Sequence, residues 1–213
     1  MYLNSEYENY DVSKAVEHLL KAAKSRHSQA QYLLGKLFLT GEVVTRYTAY
    51  ALRWLEESIT QENSYAQYLL GKTLLYGNED IPPDSRRGVE LLEQSTSQQN
   101  SMAAYALGKA YLEGTAVMQD INKAVSLLMI AAKQNNPYAG YLLGKLYLYG
   151  REIEVDQEKA IAYLTASAEM GNQYAGQLLH SIRNNRNWSA AAGTLRLLHH
   201  ISKIIQNRIA DER

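Results

Sequence analysis

One short phrase recurs along this chain and constrains its fold more than any other feature. It reads NPYAGYLLGKLYLYG from Asn136, and related copies begin at Ser28, Ser64 and Ser101. The glycines at the centre of the copies follow one another at intervals of 36, 37 and 36 residues and are Gly35, Gly71, Gly108 and Gly144. A fixed period of this size is typical of stacked helical hairpins, so we predict an all-α repeat array.

Each period contains two amphipathic segments, called helix A and helix B here. Helix A carries the recurring phrase, and helix B reads KAIAYL in the copy from Lys159. Asparagine precedes most A segments, and aspartate precedes four of the five B segments, namely at Asp11, Asp84, Asp120 and Asp156. Both residues are favoured N-caps. The second B segment has Tyr47 at this position, and Thr45 or Thr48 is the expected cap instead. An extra residue in the third period predicts a bulging loop at 78–84.

The glycines inside the A segments indicate how a hairpin closes. Glycine in a helix interior destabilises the helix by up to about 1 kcal/mol relative to alanine. A glycine that recurs at the same phase therefore implies that another segment of the chain packs too closely for a side chain. The B segments offer a small residue at matching phase in every copy, namely Ala15, Ala51, Gly88, Ala124 and Ala160. We therefore predict that A and B helices of one hairpin meet through these small residues.

Composition argues against several functional classes. The 22 basic and 22 acidic residues give zero net charge, which does not favour general binding to nucleic acid or membranes. There is no cysteine, which excludes disulfides, thiol catalysis and thiolate metal sites. No signal segment or membrane-spanning run is recognisable, so we expect a cytoplasmic protein. Gly71-Lys72-Thr73 lies inside a predicted helix, and Ala66 replaces the first glycine of a phosphate-binding loop. No catalytic or metal-ligating constellation can be assembled. We predict no enzymatic activity and no cofactor.

The candidate binding feature is a row of tyrosines, each followed four residues later by a lysine. Residues i and i+4 share one helix face, so stacked A helices should present parallel rows of phenols and ammonium groups. The eight residues are Tyr32, Lys36, Tyr68, Lys72, Tyr105, Lys109, Tyr141 and Lys145. One interpretation is that the tyrosines merely pack between A helices. The other is a groove for a peptide that carries carboxylates. Leucines continuing this face were expected to add apolar contact, namely Leu39, Leu75, Leu112 and Leu148.

The pattern A-x-Y-x-L-G-x-x-Y-x-x-G, followed by aspartate and K-A-x-x-[WY]-L, resembles the Sel-one-like repeat (SLR), a relative of the tetratricopeptide repeat. The resemblance implies a right-handed α-solenoid whose A helices line the concave face and which serves as a scaffold or adaptor for proteins. It covers roughly residues 2–180, with the repeats themselves at 28–180 and His180 in place of a fifth glycine. Residues 1–27 resemble a truncated repeat with helix B only, which suggests either a piece of a longer chain or an N-terminal cap formed by residues 1–10.

The last segment, 181–213, departs from the repeat. It carries six basic and two acidic residues, and a stripe of apolar positions predicts a helix that either caps the array or mediates docking or dimerisation; these are Ala191, Leu195, Leu198, Ile201, Ile205 and Ile209. An array with this ending also resembles the C-terminal region of relaxase-type plasmid mobilisation proteins from Gram-positive bacteria. That resemblance implies, as an alternative function, a DNA-contacting accessory module in conjugation.

Overall fold

The computed structural model describes residues 12–42, 44–150 and 153–184, and within them every regular element is an α-helix. The predicted capping helix and Asp11 lie outside the described residues. The chain divides into two compact units, Met1–Met118 and Gln119–Arg213. No described helix combines the length and the hydrophobicity needed to cross a bilayer.

The described part of the first unit contains six helices. The B helices are α1 (Val12–Lys24), α3 (Thr48–Ile59) and α5 (Ser85–Ser97), and the A helices are α2 (Ser28–Thr40), α4 (Ser64–Tyr76) and α6 (Ser101–Glu113). Their core is built from leucine and alanine, with Leu34, Leu55, Leu92 and Leu107 inaccessible to solvent.

The described part of the second unit continues the alternation with four helices. These are the B helices α7 (Ile121–Lys133) and α9 (Gln157–Glu169) and the A helices α8 (Pro137–Tyr149) and α10 (Gln173–Asn184). Leu164, Ala175 and Leu179 form one buried cluster, against which Tyr141 and Ile182 pack. In both units an A helix is followed by a B helix across a short loop, so the hairpin predicted from the period is confirmed.

The glycines of helix A face helix B, as predicted. A Cβ added at Gly71 would lie 3.0 Å from the carbonyl oxygen of Gly88, and one added at Gly88 would lie 2.8 Å from the amide nitrogen of Leu75. In the second unit, a Cβ at Gly144 would lie 3.2 Å from the carbonyl oxygen of Ala160. The two helices of a hairpin therefore approach to backbone contact, which excludes a side chain at these positions.

Within the described residues, the predicted caps are confirmed with one exception. Asn100 accepts hydrogen bonds from the amides of Met102 and Ala103, and Asp84 accepts one from the amide of Arg87. Helix α3 begins after Tyr47, which makes no side-chain capping bond, so the expectation that Thr45 or Thr48 caps it is wrong.

The threonine of this helix start has another partner. The hydroxyl of Thr48 donates to Asp80 Oδ2 at 3.0 Å, and Arg46 Nη2 lies 2.9 Å from the same carboxylate. In both contacts the shared partner, Asp80, belongs to the loop of the following repeat. That loop bulges less than predicted because Ile81 is 3% exposed and packs in the core beside Leu70. The extra residue of the third period therefore ties one repeat to the previous one.

Candidate functional site

The tyrosine row occupies the fifth position of each A helix in the first unit. Tyr32, Tyr68 and Tyr105 are partly buried, and the ring centroids of Tyr32 and Tyr65 are 5.8 Å apart. Burial, and then the neighbouring phenol of Tyr65, raises the pKa of Tyr32. Burial also raises the pKa of Tyr68, and the neighbouring phenols of Tyr32 and Tyr105 raise it further. The phenol of Tyr68 therefore lies close enough to those of Tyr32 and Tyr105 to be influenced by both, across α2, α4 and α6.

The tyrosines both pack between A helices and leave part of their surface accessible to a partner. Tyr32 packs against the buried cluster that contains Leu70 and Leu74, so it supports the contact between neighbouring A helices. Its intermediate exposure leaves part of the ring accessible. Because their rings are held by packing, such tyrosines are rigid and offer contact area with little loss of side-chain entropy.

The lysine row lies beside the phenols, one helical turn further along each helix. Lys36, Lys72 and Lys109 are all exposed. Lys109 Nζ lies 3.5 Å from Glu113 Oε1 in an i, i+4 ion pair. Within the described residues, Lys36 and Lys72 form no ion pair, and neither α2 nor α4 contains an acidic residue. Among the described residues, the first two lysines of this row therefore have no carboxylate within ion-pairing distance.

The second unit carries the same pair in a different arrangement. The Tyr141 and Tyr174 rings are 6.2 Å apart, much like the equivalent pair in the first unit. Lys145 Nζ lies 5.4 Å from the centroid of the Tyr141 ring, within the range of a cation–π contact. The ammonium group of this copy therefore has a partner in its own helix.

The structure adds a row of exposed apolar side chains that the sequence analysis missed. Tyr65 and Met102, at the second position of α4 and α6, are 50% and 46% exposed. Tyr138 and Tyr174 hold the same position in the second unit and are 57% and 66% exposed. The sequence contained a signal for this row. Tyr65, Met102 and Tyr138 each precede a lysine by seven residues, and Tyr174 precedes the corresponding position of α10 by the same number. Residues seven apart lie on nearly the same face of a helix.

The leucines expected to extend the binding face do not lie on the surface. Leu39, Leu75 and Leu148 are 8%, 1% and 0% exposed, respectively, and only Leu112 is partly accessible. Leu39 packs in a cluster with Leu55 of its own hairpin and with Leu70 and Leu74 of the next A helix. These three leucines stabilise the fold and are unavailable to a partner.

No grouping in the described ranges offers metal chemistry, because no three His, Asp or Glu side chains lie together there. A pocket of about 450 Å³ in the second unit is lined by Tyr147, Asp156 and Lys159 among others. Lys159 Nζ is 2.9 Å from Asp156 Oδ2 and 5.3 Å from the Tyr147 ring centroid. The ammonium group of Lys159 is therefore paired with Asp156, and Glu154 adds a second carboxylate to the lining.

Comparison with known proteins gives a family and a fold. The sequence model of the Sel1 repeat matches residues 1–27, 28–63, 64–100, 101–136 and 137–172. The crystal structure of a Sel1 repeat protein from Oxalobacter formigenes is similar with a TM-score of 0.80 and 24% identity, over 97% of this chain and 84% of that chain. No curated protein matches.

A second solved structure is a protective antigen of uropathogenic Escherichia coli that displays an SLR fold. It is similar with a TM-score of 0.71 and 26% identity, over 78% of this chain and 36% of that chain. None of these similarities supports the relaxase resemblance, and the basic segment on which the DNA-contacting alternative depends lies outside the described residues.

Proposed function

Because this chain belongs to the Sel1 repeat family, whose members are generally non-enzymatic scaffolds for protein interactions, we propose that it binds a peptide or partner protein on the exposed face of its A helices. The binding face of the first unit consists of the tyrosine row and the lysine row beside it, namely Tyr32, Tyr68, Tyr105, Lys36, Lys72 and Lys109. We call this surface the Tyr–Lys face. We infer from the family resemblance that this surface lies on the concave side.

The row of three half-buried phenols is the observation that carries this proposal. Tyrosine is enriched at energetic hot spots because it combines a large apolar surface with a polar tip. The neighbouring ammonium groups favour partners with complementary negative charge and accelerate their association. A surface with rigid aromatic contacts and mobile charges beside them is suited to recognising a peptide.

Tyr141 and Lys145 form a second copy of the pair in the other unit. This copy offers the same aromatic area, but its ammonium group already lies over the tyrosine ring. We expect it to contribute apolar contact and little charge recognition.

Selection from a displayed library of random peptides with the full-length protein tests the proposal. The selected peptides should lose about 2 kcal/mol of binding free energy, or about thirtyfold in affinity, on Tyr68→Ala, as is typical of a hot spot. Tyr47→Ala is the matched control, because Tyr47 is 59% exposed and precedes a B helix. Circular dichroism checks that both variants are folded. Peptides that bind Tyr68→Ala as well as they bind the wild type would contradict the proposal.

A further inference from the structure

The Tyr–Lys face has two rims with different chemistry. Positions 2 and 9 of a helix are seven residues apart, so they differ by only about 20° around the axis and by about 10 Å along it. In α4 these positions are Tyr65 and Lys72, and in α6 they are Met102 and Lys109; all four are exposed. An apolar rim therefore runs parallel to a cationic rim at about 10 Å, with the half-buried phenols between them.

The cationic rim attracts anions most strongly at one end. Lys36 and Lys72 have no ion pair within the described part of the chain, whereas Lys109 is paired with Glu113. Charge complementarity thus requires at least two negative groups in the partner, one for Lys36 and one for Lys72. A third negative group would compete with Glu113 for Lys109.

The spacing of the A helices selects the conformation of the partner. Neighbouring A helices are in contact, as the Tyr32–Tyr65 ring distance of 5.8 Å shows, and packed helices lie about 8–10 Å apart. A polyproline II helix advances about 9 Å per turn of three residues, so its residues i and i+3 point the same way. A β-strand places residues i and i+3 on opposite sides. Tyrosine-lined grooves are also a common docking surface for polyproline II segments.

We propose that the Tyr–Lys face binds an acidic, proline-containing segment of a partner protein in the polyproline II conformation. Two carboxylates three residues apart contact Lys36 and Lys72, and an apolar side chain between them contacts Tyr65, which lies beside Tyr32 at the contact of α2 and α4. This inference rests on the proposed function, since it concerns the same face, and it specifies the chemistry and the spacing of the partner.

The spacing can be tested with synthetic peptides of proline, leucine and two glutamates, bound to the full-length protein and followed by fluorescence polarisation. Peptides of one composition place the glutamates two, three or four residues apart. We expect the spacing of three to bind about two- to fivefold more tightly, which corresponds to one exposed ion pair. Equal affinity for the three peptides would overturn the inference.

Two lysine variants locate the charges. Lys36→Glu/Lys72→Glu removes both contacts and adds repulsion, so affinity for the peptide with a spacing of three should fall at least about tenfold. Lys133→Glu, an exposed lysine in the last turn of α7, is the control and should leave affinity unchanged. Unchanged binding to the double variant would reject the two-lysine contact.

Glu113→Gln tests whether the ion pair with Glu113 keeps Lys109 from binding a carboxylate of the partner. A peptide with a third glutamate, three residues beyond the second, should bind this variant about two- to fivefold more tightly than it binds the wild type. The two-glutamate peptide should bind both proteins equally. An equal gain for both peptides would show that Glu113 acts only through general charge.

The outcomes separate this inference from the proposed function. If no peptide binds in a manner that depends on Tyr68, the proposed function fails. If peptides require Tyr68 but tolerate any glutamate spacing, the proposed function stands and the inference is wrong. An oligonucleotide that displaces the peptides and binds with equal affinity would assign the lysines to phosphate instead.

Discussion

At the scale of single residues, the closest contacts in the molecule are between backbones. Gly71 and Gly88 face each other in the hairpin of α4 and α5, and Gly88 also lies against the amide of Leu75. The other B helices carry alanine at the position of Gly88. This hairpin is therefore closed more tightly than a methyl group allows, which explains the second glycine.

Gly88→Ala should destabilise the protein by about 1–3 kcal/mol, although alanine is the better helix former. The added Cβ would lie 2.8 Å from Leu75 N and 2.9 Å from Gly71 O, and these backbone atoms cannot move without separating the helices. Thermal denaturation measures the effect as a lower midpoint.

Gly176→Ala is the matched control for this substitution. A Cβ at Gly176 meets nothing within 4 Å, so the replacement should stabilise helix α10 by up to about 1 kcal/mol. A midpoint for Gly88→Ala equal to or above that of the wild type would refute the backbone contact.

At the scale of helices, a recurring polar contact joins the start of an A helix to the B helix behind it. The buried hydroxyl of Ser95 donates to the backbone carbonyl of Ser64 at 2.7 Å, and the side-chain amide of Asn100 donates to the same carbonyl at 3.2 Å. In the second unit, Ser167 and Asn172 donate to the carbonyl of Pro137 in the same way. The asparagines therefore cap one A helix and fasten the previous one.

Asn100→Ala should reduce the free energy of unfolding by about 2 kcal/mol. The substitution removes two capping bonds to the amides of Met102 and Ala103 and the bond to the carbonyl of Ser64, at a site that is 8% exposed. Urea denaturation gives the change.

Asn63→Ala is the control, because Asn63 caps α4 equally but its amide reaches only the side chain of Gln29, at 3.4 Å. Its loss should be about 1 kcal/mol, the usual value of a cap. Equal losses for the two variants would show that the inter-helix bond adds nothing.

At the scale of the whole molecule, the tyrosines couple stability to alkaline pH. Burial is the main cause that raises the pKa of Tyr32, Tyr68, Tyr76 and Tyr163. A raised pKa means that the folded state holds the phenolic proton more firmly than the unfolded state does. The contribution to stability is therefore complete below about pH 10, the ordinary pKa of tyrosine, and is lost as the pH rises through the folded values.

The urea midpoint of the wild type should consequently fall as the pH rises above about 10. Tyr68→Phe removes one of the responsible phenols and should flatten this decline, whereas Tyr47→Phe, which alters an exposed tyrosine, should leave the decline unchanged. Identical pH dependence in the wild type and Tyr68→Phe would exclude a role for the tyrosine row.

The sequence alone was sufficient for the hairpin, its caps and the approach of its two helices. The reason is that these are local features: period, capping residues and small residues at fixed phase act within one repeat, and each repeat contacts only its neighbours. For the same reason the row of Tyr32, Tyr68 and Tyr105 could be predicted from a spacing of 36 or 37 residues.

What the sequence could not supply depends on contacts between repeats, which identical phrases do not distinguish. Leu39 and Tyr32 lie on one predicted helix face, yet packing buries Leu39 and leaves part of Tyr32 accessible. Arg46 pairs with Asp80 of the following repeat, a contact that no local spacing indicates, whereas the pair of Lys109 and Glu113 follows from their spacing of four residues. The tertiary structure decided which members of each row face solvent and which ion pairs join neighbouring repeats, because burial and contacts between repeats are determined by three-dimensional neighbours.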